Sequence, residues 1–176
     1  ANVINEIAKT ERVIVLSNKE DINEIENKTN HENIDILECK LDDSWMRDIA
    51  PIFYKEDEKL KSISFEFNGY GKYPDYLNDN KISKFISNYL NIPTKISDLV
   101  IEGGAITYDD KKNLFSTKNV IFNKNRKQKH NSEYIIKELK LLFDLDNIFL
   151  FEDGLIDDDT DGHVDNLLCP IGKNKY

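Results

Sequence analysis

Short runs of β-branched apolar residues alternate along the chain with stretches whose apolar positions recur every three to four residues, the pattern of an α/β protein. The run "RVIVLS" (residues 12–17) predicts a buried strand, and residues 20–28 follow as a modest helix with Ile22 and Ile25 on one side. Residues 34–39 predict a second strand and residues 42–48 a polar loop. Residues 49–54 and 62–67 then read as a hairpin around the charged turn "KEDEKL". Past the turn-rich "NGYGKYPDY", Ile82, Phe85, Ile86, Tyr89 and Leu90 fall at helical spacing, and residues 92–101 return to strand character.

The same order recurs downstream. Residues 105–108, 114–117 and 120–122 read as strands, residues 132–145 as a helix carrying Ile135, Ile136, Leu139, Leu142 and Phe143, and "NIFLF" as a closing strand. Helices opening near Asn80 and Ser132 set a period of about 50 residues, in the range of propeller blades or stacked supersecondary units. The chain therefore reads as repeated ββαβ units with no linker between them, in a single domain spanning residues 1–176. Its first residue is Ala rather than Met, and its last stretch, "CPIGKNKY", reads as a strand with no closing element, so both ends are expected to be cut.

Composition narrows the partners. Hydrophobic residues make up 39% and charged residues 32%, the balance of a folded globular protein. A net charge of -9, from 33 acidic against 24 basic residues, disfavours nucleic acid and anionic membranes and favours small cations. No apolar run approaches the roughly 18 residues of a membrane span. The two cysteines, Cys39 and Cys169, lack C-x-x-C spacing, and there is no signal-like start, so the expected compartment is a reducing cytoplasm.

Three segments carry candidate chemistry. In "IDDDTDGHVDNLL" (residues 156–168), Asp157, Asp159, Asp161 and Gly162 fit the opening of a calcium loop, but Leu168 stands where the loop needs a bidentate Glu, and the flanks look extended. A calcium module and a solvated acidic turn stay open beside a third reading, in which His163 and Asp165, two apart on a strand, share one face and one pocket. In "DDSWMRDIAPIF" (residues 42–53), the only Trp, one of three arginines and three carboxylates gather before a strand; alone, this reads equally as a core Trp45 and a surface pair, Arg47 with Asp48. In "LVIEGGAIT" (residues 99–107), Glu102 ends an apolar run before two glycines, where it needs a partner that a histidine would supply.

Together these segments resemble the agmatine deiminase family, of the bacterial peptidyl-arginine deiminase type. The family's W-x-R-D-x-G-P-x-F stands at residues 45–53, its E-G-G at residues 102–104 and its D-G-H-V-D-N at residues 161–166. "FNGYGKYPDYLND" (residues 67–79) and "NKNR" (residues 123–126) match two further family segments in the same order, and the resemblance covers nearly the whole chain. Ala50 departs from a usual Gly, and Tyr70 from a common Trp.

The resemblance implies a partial five-bladed α/β propeller (pentein) with about three ββαβ units present. It implies hydrolysis of agmatine to N-carbamoylputrescine and ammonia through a covalent amidino-cysteine, with no cofactor and no metal. A planar guanidinium with a fixed fork of N–H donors suits carboxylates in charge and shape. By resemblance, Asp48 and Asp165 grip it, His163 acts as general acid and then base, Glu102 orients His163, Trp45 lies against the substrate, and Arg47 is structural support. Family members are roughly twice as long, with the nucleophilic Cys in a Gly-rich segment near the C-terminus. No such segment occurs here, and Cys39 and Cys169 read as structural, so the chain alone is expected to be inactive. The full-length form is expected to be a homo-oligomer. The nearest alternative, deimination of peptidyl or free arginine, would call for a partner to the α-carboxylate or main chain, usually an extra Arg, which three arginines do not make evident.

Overall fold

Val3, Ile4, Ile7 and Ala8 recur at helical spacing, and they form α1 (Asn2–Ala8), which packs Ala8 out of solvent. This helix precedes the strand expected to open the fold. The computed structural model describes residues 1–172, and its contacts divide the chain into two compact units, Ala1–Ser44 and Trp45–Tyr176. In the first unit, β1 (Val13–Ser17) runs through a short 3-10 turn into α2 (Ile22–Lys28) and on to β2 (Ile34–Glu38). The two strands pair in parallel, Val13 opposite Ile34 and Ser17 opposite Glu38, a βαβ unit. The Asn5 side chain ties α1 to the end of α2 by donating to the Lys28 carbonyl at 3.0 Å.

The second unit opens with a single helical turn, α3 (Met46–Ile49), inside the stretch expected to be loop. Pro51 ends it: the residue before a proline avoids the helical region, and Ala50 is extended at φ -72, ψ 159. A hairpin follows, β3 (Ile52–Glu56) with β4 (Lys59–Glu66). Its tight turn puts Asp57 and Glu58 at φ 50 and 59, the positive pair whose twist matches that of the strands it joins. Then α4 (Ile82–Tyr89) returns the chain to β5 (Thr94–Val100), parallel to β4 on its other edge.

The connection repeats. β6 (Thr107–Tyr108) pairs antiparallel with β7 (Asn113–Thr117), and after α5 (Lys118–Ile121) and α6 (Ser132–Phe143), β8 (Asn147–Phe151) lies parallel to β7. Two ββαβ units of one topology, each with a mixed sheet, thus follow each other. Between them lies an apolar core of Ile63, Phe65, Leu99, Ile101, Leu114 and Val120, into which α6 inserts Ile135, Leu139 and Leu142 from one face.

Four sequence expectations are corrected. Residues 120–122 are not a strand: the Thr117 hydroxyl caps α5 by accepting the Val120 N–H, and the β-branched run is helical. Residues 105–106 are not paired, because Gly103–Ala105 forms a 3-10 turn. His163 and Asp165 do not share a strand; they flank Val164 at the start of a 3-10 turn, Val164–Asn166. Of the expected closing strand, residues 169–171 have no regular structure, and residues 173–176 lie outside the described residues. No helix among the described residues is long and apolar enough to cross a membrane.

Candidate active site

Three of the residues singled out in the sequence converge on Gly104, and a fourth, Glu102, reaches them through His163. A methyl group built there would come within 2.4 Å of His163 Nδ1 and 2.8 Å of both Asp165 Oδ2 and Asp48 Oδ1, so the absence of a side chain at this position leaves room for the cluster. Its neighbour Gly103 serves close packing too, since a Cβ would stand 2.0 Å from the Arg47 carbonyl oxygen of α3. The two glycines thus bring α3, the end of β5 and the 3-10 turn after His163 together.

Asp48 lies on α3, almost buried. Its Oδ1 accepts the Gly104 N–H at 2.9 Å and its Oδ2 accepts the Tyr70 hydroxyl at 2.8 Å. Glu102, with no exposure, lies two residues past the end of β5 and immediately precedes the Gly103–Ala105 turn. His163 stands between these carboxylates, Nδ1 at 3.6 Å from Asp48 Oδ1 and Nε2 at 3.6 Å from Glu102 Oε2. Both separations exceed hydrogen-bond length, and His163 Nε2 and Glu102 Oε2 are buried with no hydrogen-bond partner among the described residues. Two unsatisfied buried groups facing each other are a costly arrangement that a shift of under an ångström would convert into a bond.

The chain reaches His163 through a loop held by Asp158 rather than by a neighbouring strand. Asp158 accepts from the Thr160 hydroxyl and from the backbone N–H groups of Thr160, Gly162 and His163, at 2.6 to 3.1 Å. Burial pushes its carboxyl up, but these donors together outweigh burial and hold it below the usual carboxylate range. Asp161 and Gly162 turn the backbone at φ 64 and 109. The acidic run is therefore engaged within the protein: Asp161 pairs with Arg126 at 2.6 Å and with Lys72 at 2.6 Å. Among the described residues, no group of three or more His, Cys, Asp or Glu side chains is placed to hold a metal ion.

Asp165 lies on the open side of the cluster, with Arg47 Nε 3.5 Å from its Oδ2. Arg47, expected to be structural support, faces this carboxylate with its side chain largely exposed. Trp45 caps the N-terminus of the turn that carries Asp48 and is 58% exposed, which removes the core reading of this residue. Cys169 is exposed, and Cys39 lies in the first unit. The sequence reading gave no role to Tyr70, Asp158 or Arg126, although the matched segments at residues 67–79 and 123–126 contain two of them.

Burial is the main influence on Asp48 and pushes its carboxyl above the usual range. His163, the Gly104 N–H and the Tyr70 hydroxyl act the other way, and Glu102 adds to the rise. The fold thus favours the protonated form, so the contribution of Asp48 to stability is full below the ordinary carboxylate range and is lost as pH rises through the raised value. Asp48→Asn is expected to raise Tm at pH 7, with the advantage vanishing as pH falls below about 4, the unfolded carboxyl range. Thermal unfolding at several pH values checks this, and a variant less stable at pH 7 would show that the Gly104 and Tyr70 bonds need the charge.

These features have counterparts in known proteins. The sequence model of the Porphyromonas-type peptidyl-arginine deiminase family matches residues 1–176. A Mycoplasma capricolum protein named "Putative agmatine deiminase" is 33% identical over 174 residues, covering 96% of this chain and 48% of that protein. A cysteine-to-serine variant of the C. jejuni agmatine deiminase, solved with substrate bound, superposes with a TM-score of 0.87 at 28% identity, covering 98% of this chain and 52% of that one. The agmatine deiminase of Enterococcus faecalis, at 21% identity and a TM-score of 0.85, shares the fold. The chain spans about half the length of the relatives it matches. With the motifs at residues 45–53, 102–104 and 161–166 brought to one buried cluster and the family match running over its whole length, the chain belongs to the Porphyromonas-type peptidyl-arginine deiminase family.

Proposed function

We propose that this chain forms the guanidinium-binding and proton-transfer part of an agmatine deiminase, which converts agmatine and water to N-carbamoylputrescine and ammonia. The observation that carries the reading is the placement of His163 between Asp48 and Glu102, at 3.6 Å from each, with Asp165 opening onto the same space. Each oxygen of Asp48 accepts one bond from the protein and has a second lone pair to offer, so Asp48 can still accept N–H donors from a guanidinium while Asp165 takes another edge. Arg47 beside Asp165 then shares or cedes its partner to the substrate.

A cysteine thiolate attacks the guanidinium carbon, forming a C–S bond. His163 gives its proton to the departing amino group, and ammonia leaves. The amidino-thioether is then attacked by a water that gives one proton to His163; as the C–S bond breaks, the thiolate is restored, the second proton of the water passes to solvent, where ammonia takes it up as ammonium, and the neutral ureido product is released. Glu102 holds the imidazole in orientation and stabilises its charge, as the third member of a triad does. In this reading the thiolate comes from a cysteine beyond Cys39 and Cys169.

The test is turnover by the full-length polypeptide of the same reading frame. Agmatine should yield ammonia and N-carbamoylputrescine in equal amounts, with arginine and arginyl peptides at least about tenfold slower, a discrimination that one unmet charge suffices to give. The isolated 176-residue chain should release none. Absence of ammonia from agmatine with the full-length polypeptide would overturn the proposal.

A further inference from the structure

Arg126 heads the fully buried side chains by size, and the deiminase reading gives it no task. Its guanidinium spends its donors in three directions. Nε donates to Glu102 Oε1 at 3.1 Å, Nη1 to Asp161 Oδ2 at 2.6 Å and Nη2 to the Thr160 carbonyl at 2.6 Å. Its face lies 5.9 Å from the centre of the Tyr70 ring, and Tyr70 donates to Asp48. The turn that carries it is itself fixed: Asn68 donates to the Arg126 carbonyl at 2.8 Å, and Gly71 packs so close to Asn125 that a Cβ there would stand 2.0 Å from its carbonyl oxygen.

One rigid fork therefore reaches Glu102, the two residues that precede Gly162 and His163, and the ring behind Asp48. At Glu102 the consequence is directional. Arg126 occupies Oε1, and Oε2, which has no other partner, faces His163 Nε2. Glu102 has no exposure, and Arg126 is the cation that hydrogen-bonds it.

We infer that Arg126 is a positioning residue for the proton-transfer pair: it turns Glu102 so that Oε2 meets His163. The inference rests on the deiminase reading for its meaning in catalysis. A purely structural ion pair would cost stability when broken but would not act through Glu102. Arg126 does, because the free oxygen of Glu102 exists only while the other is held. Lysine at this position keeps the charge, but a single ammonium cannot span three acceptors arranged for a planar fork.

The experiment uses the full-length polypeptide with three variants, Arg126→Lys, Glu102→Gln and the double variant Arg126→Met with Glu102→Gln. The double variant removes both buried charges and so avoids leaving one uncompensated. Arg126→Lys should lower kcat for agmatine about 10- to 30-fold with KM within about threefold, the loss expected of a small misplacement of the acid–base group. In the Glu102→Gln background, adding Arg126→Met should change kcat by less than about threefold, since the carboxylate through which it acts is gone. Independently of turnover, the ring 15N signals of His163 should move in Arg126→Lys in the same direction as in Glu102→Gln. An unchanged kcat with unchanged His163 signals in Arg126→Lys, or a full further loss in the Glu102→Gln background, overturns the inference. If the wild-type polypeptide leaves agmatine untouched, the deiminase reading fails while the His163 signals still decide the coupling.

Discussion

If the proposed deiminase reading holds, His163→Gln in the full-length polypeptide is expected to lower kcat for agmatine by about 10²- to 10⁴-fold, the range that a positioned general acid–base contributes, with agmatine binding retained. Glutamine suits the comparison because it keeps a polar group of similar reach between Asp48 and Glu102 but cannot exchange a proton near neutral pH. The fold should tolerate it. The backbone at this position is fixed by Asp158, which accepts the His163 N–H at 3.0 Å, and by Thr160 at 3.2 Å, and neither bond involves the imidazole. The carboxylates assigned to the guanidinium, Asp48 and Asp165, are also untouched, so the loss should fall on kcat and leave calorimetric affinity for agmatine within several-fold of wild type. A variant that keeps a tenth or more of the wild-type kcat would remove His163 from proton transfer, and one that loses affinity and turnover together would make it part of the grip instead.

The fold was legible wherever a run of side chains carried the information locally. β1, β2, β7 and β8 stand close to where their β-branched and aromatic runs placed them, and α6 buries Ile135, Leu139 and Leu142 at the spacing that predicted it. Local pattern failed where a side chain beyond the run decided the backbone. Residues 120–122 are as strand-like as their neighbours until the Thr117 hydroxyl caps a helix in front of them. His163 and Asp165 sit two apart, as on a strand, but the donors a strand would give to a neighbour go to the Asp158 carboxylate.

The candidate site was legible only in part and through motif rather than periodicity. Asp48, Glu102, His163 and Asp165 were named because their neighbours matched family segments, and the structure gathers Asp48, His163 and Asp165 around Gly104 with Glu102 on the far side of His163. Arg126 escaped because it lies among Lys124, Lys127 and Lys129, a run that reads as a solvated basic turn. Its partners, Glu102 and Asp161, stand 24 and 35 positions away, and no local rule pairs residues at that distance. Arg47 and Asp165 are farther apart still along the chain, and their approach depends on Gly103 packing against α3.

Gly104→Ala should damage activity far more than stability, whereas its neighbour Gly103→Ala should cost the fold itself, and activity only with it. The methyl group at residue 104 would meet three groups at once, His163 Nδ1, Asp165 Oδ2 and Asp48 Oδ1, all nearer than van der Waals contact allows. Asp165 can swing outward, being on the open side, but His163 is 3% and Asp48 9% exposed, and both are held from behind, by Asp158 and by Tyr70. They must move by about 1 Å, and overpacking of this kind typically costs about 1–3 kcal/mol. For a chain of this size that is a fall in Tm of about 3–10 °C. Displacing the acid–base group and the grip together by that distance costs on the order of 10²-fold for each, so kcat/KM for agmatine should drop at least about 10³-fold. At residue 103 the clash is with the Arg47 carbonyl oxygen, 2.0 Å away, and a backbone atom of α3 has no such freedom, so that variant should lose most of its cooperative unfolding transition. Measuring Tm on the 176-residue chain and agmatine turnover on the full-length polypeptide, each with either substitution, separates the two roles. If Gly104→Ala keeps kcat/KM within threefold of wild type, the space beside Gly104 is not where the guanidinium binds.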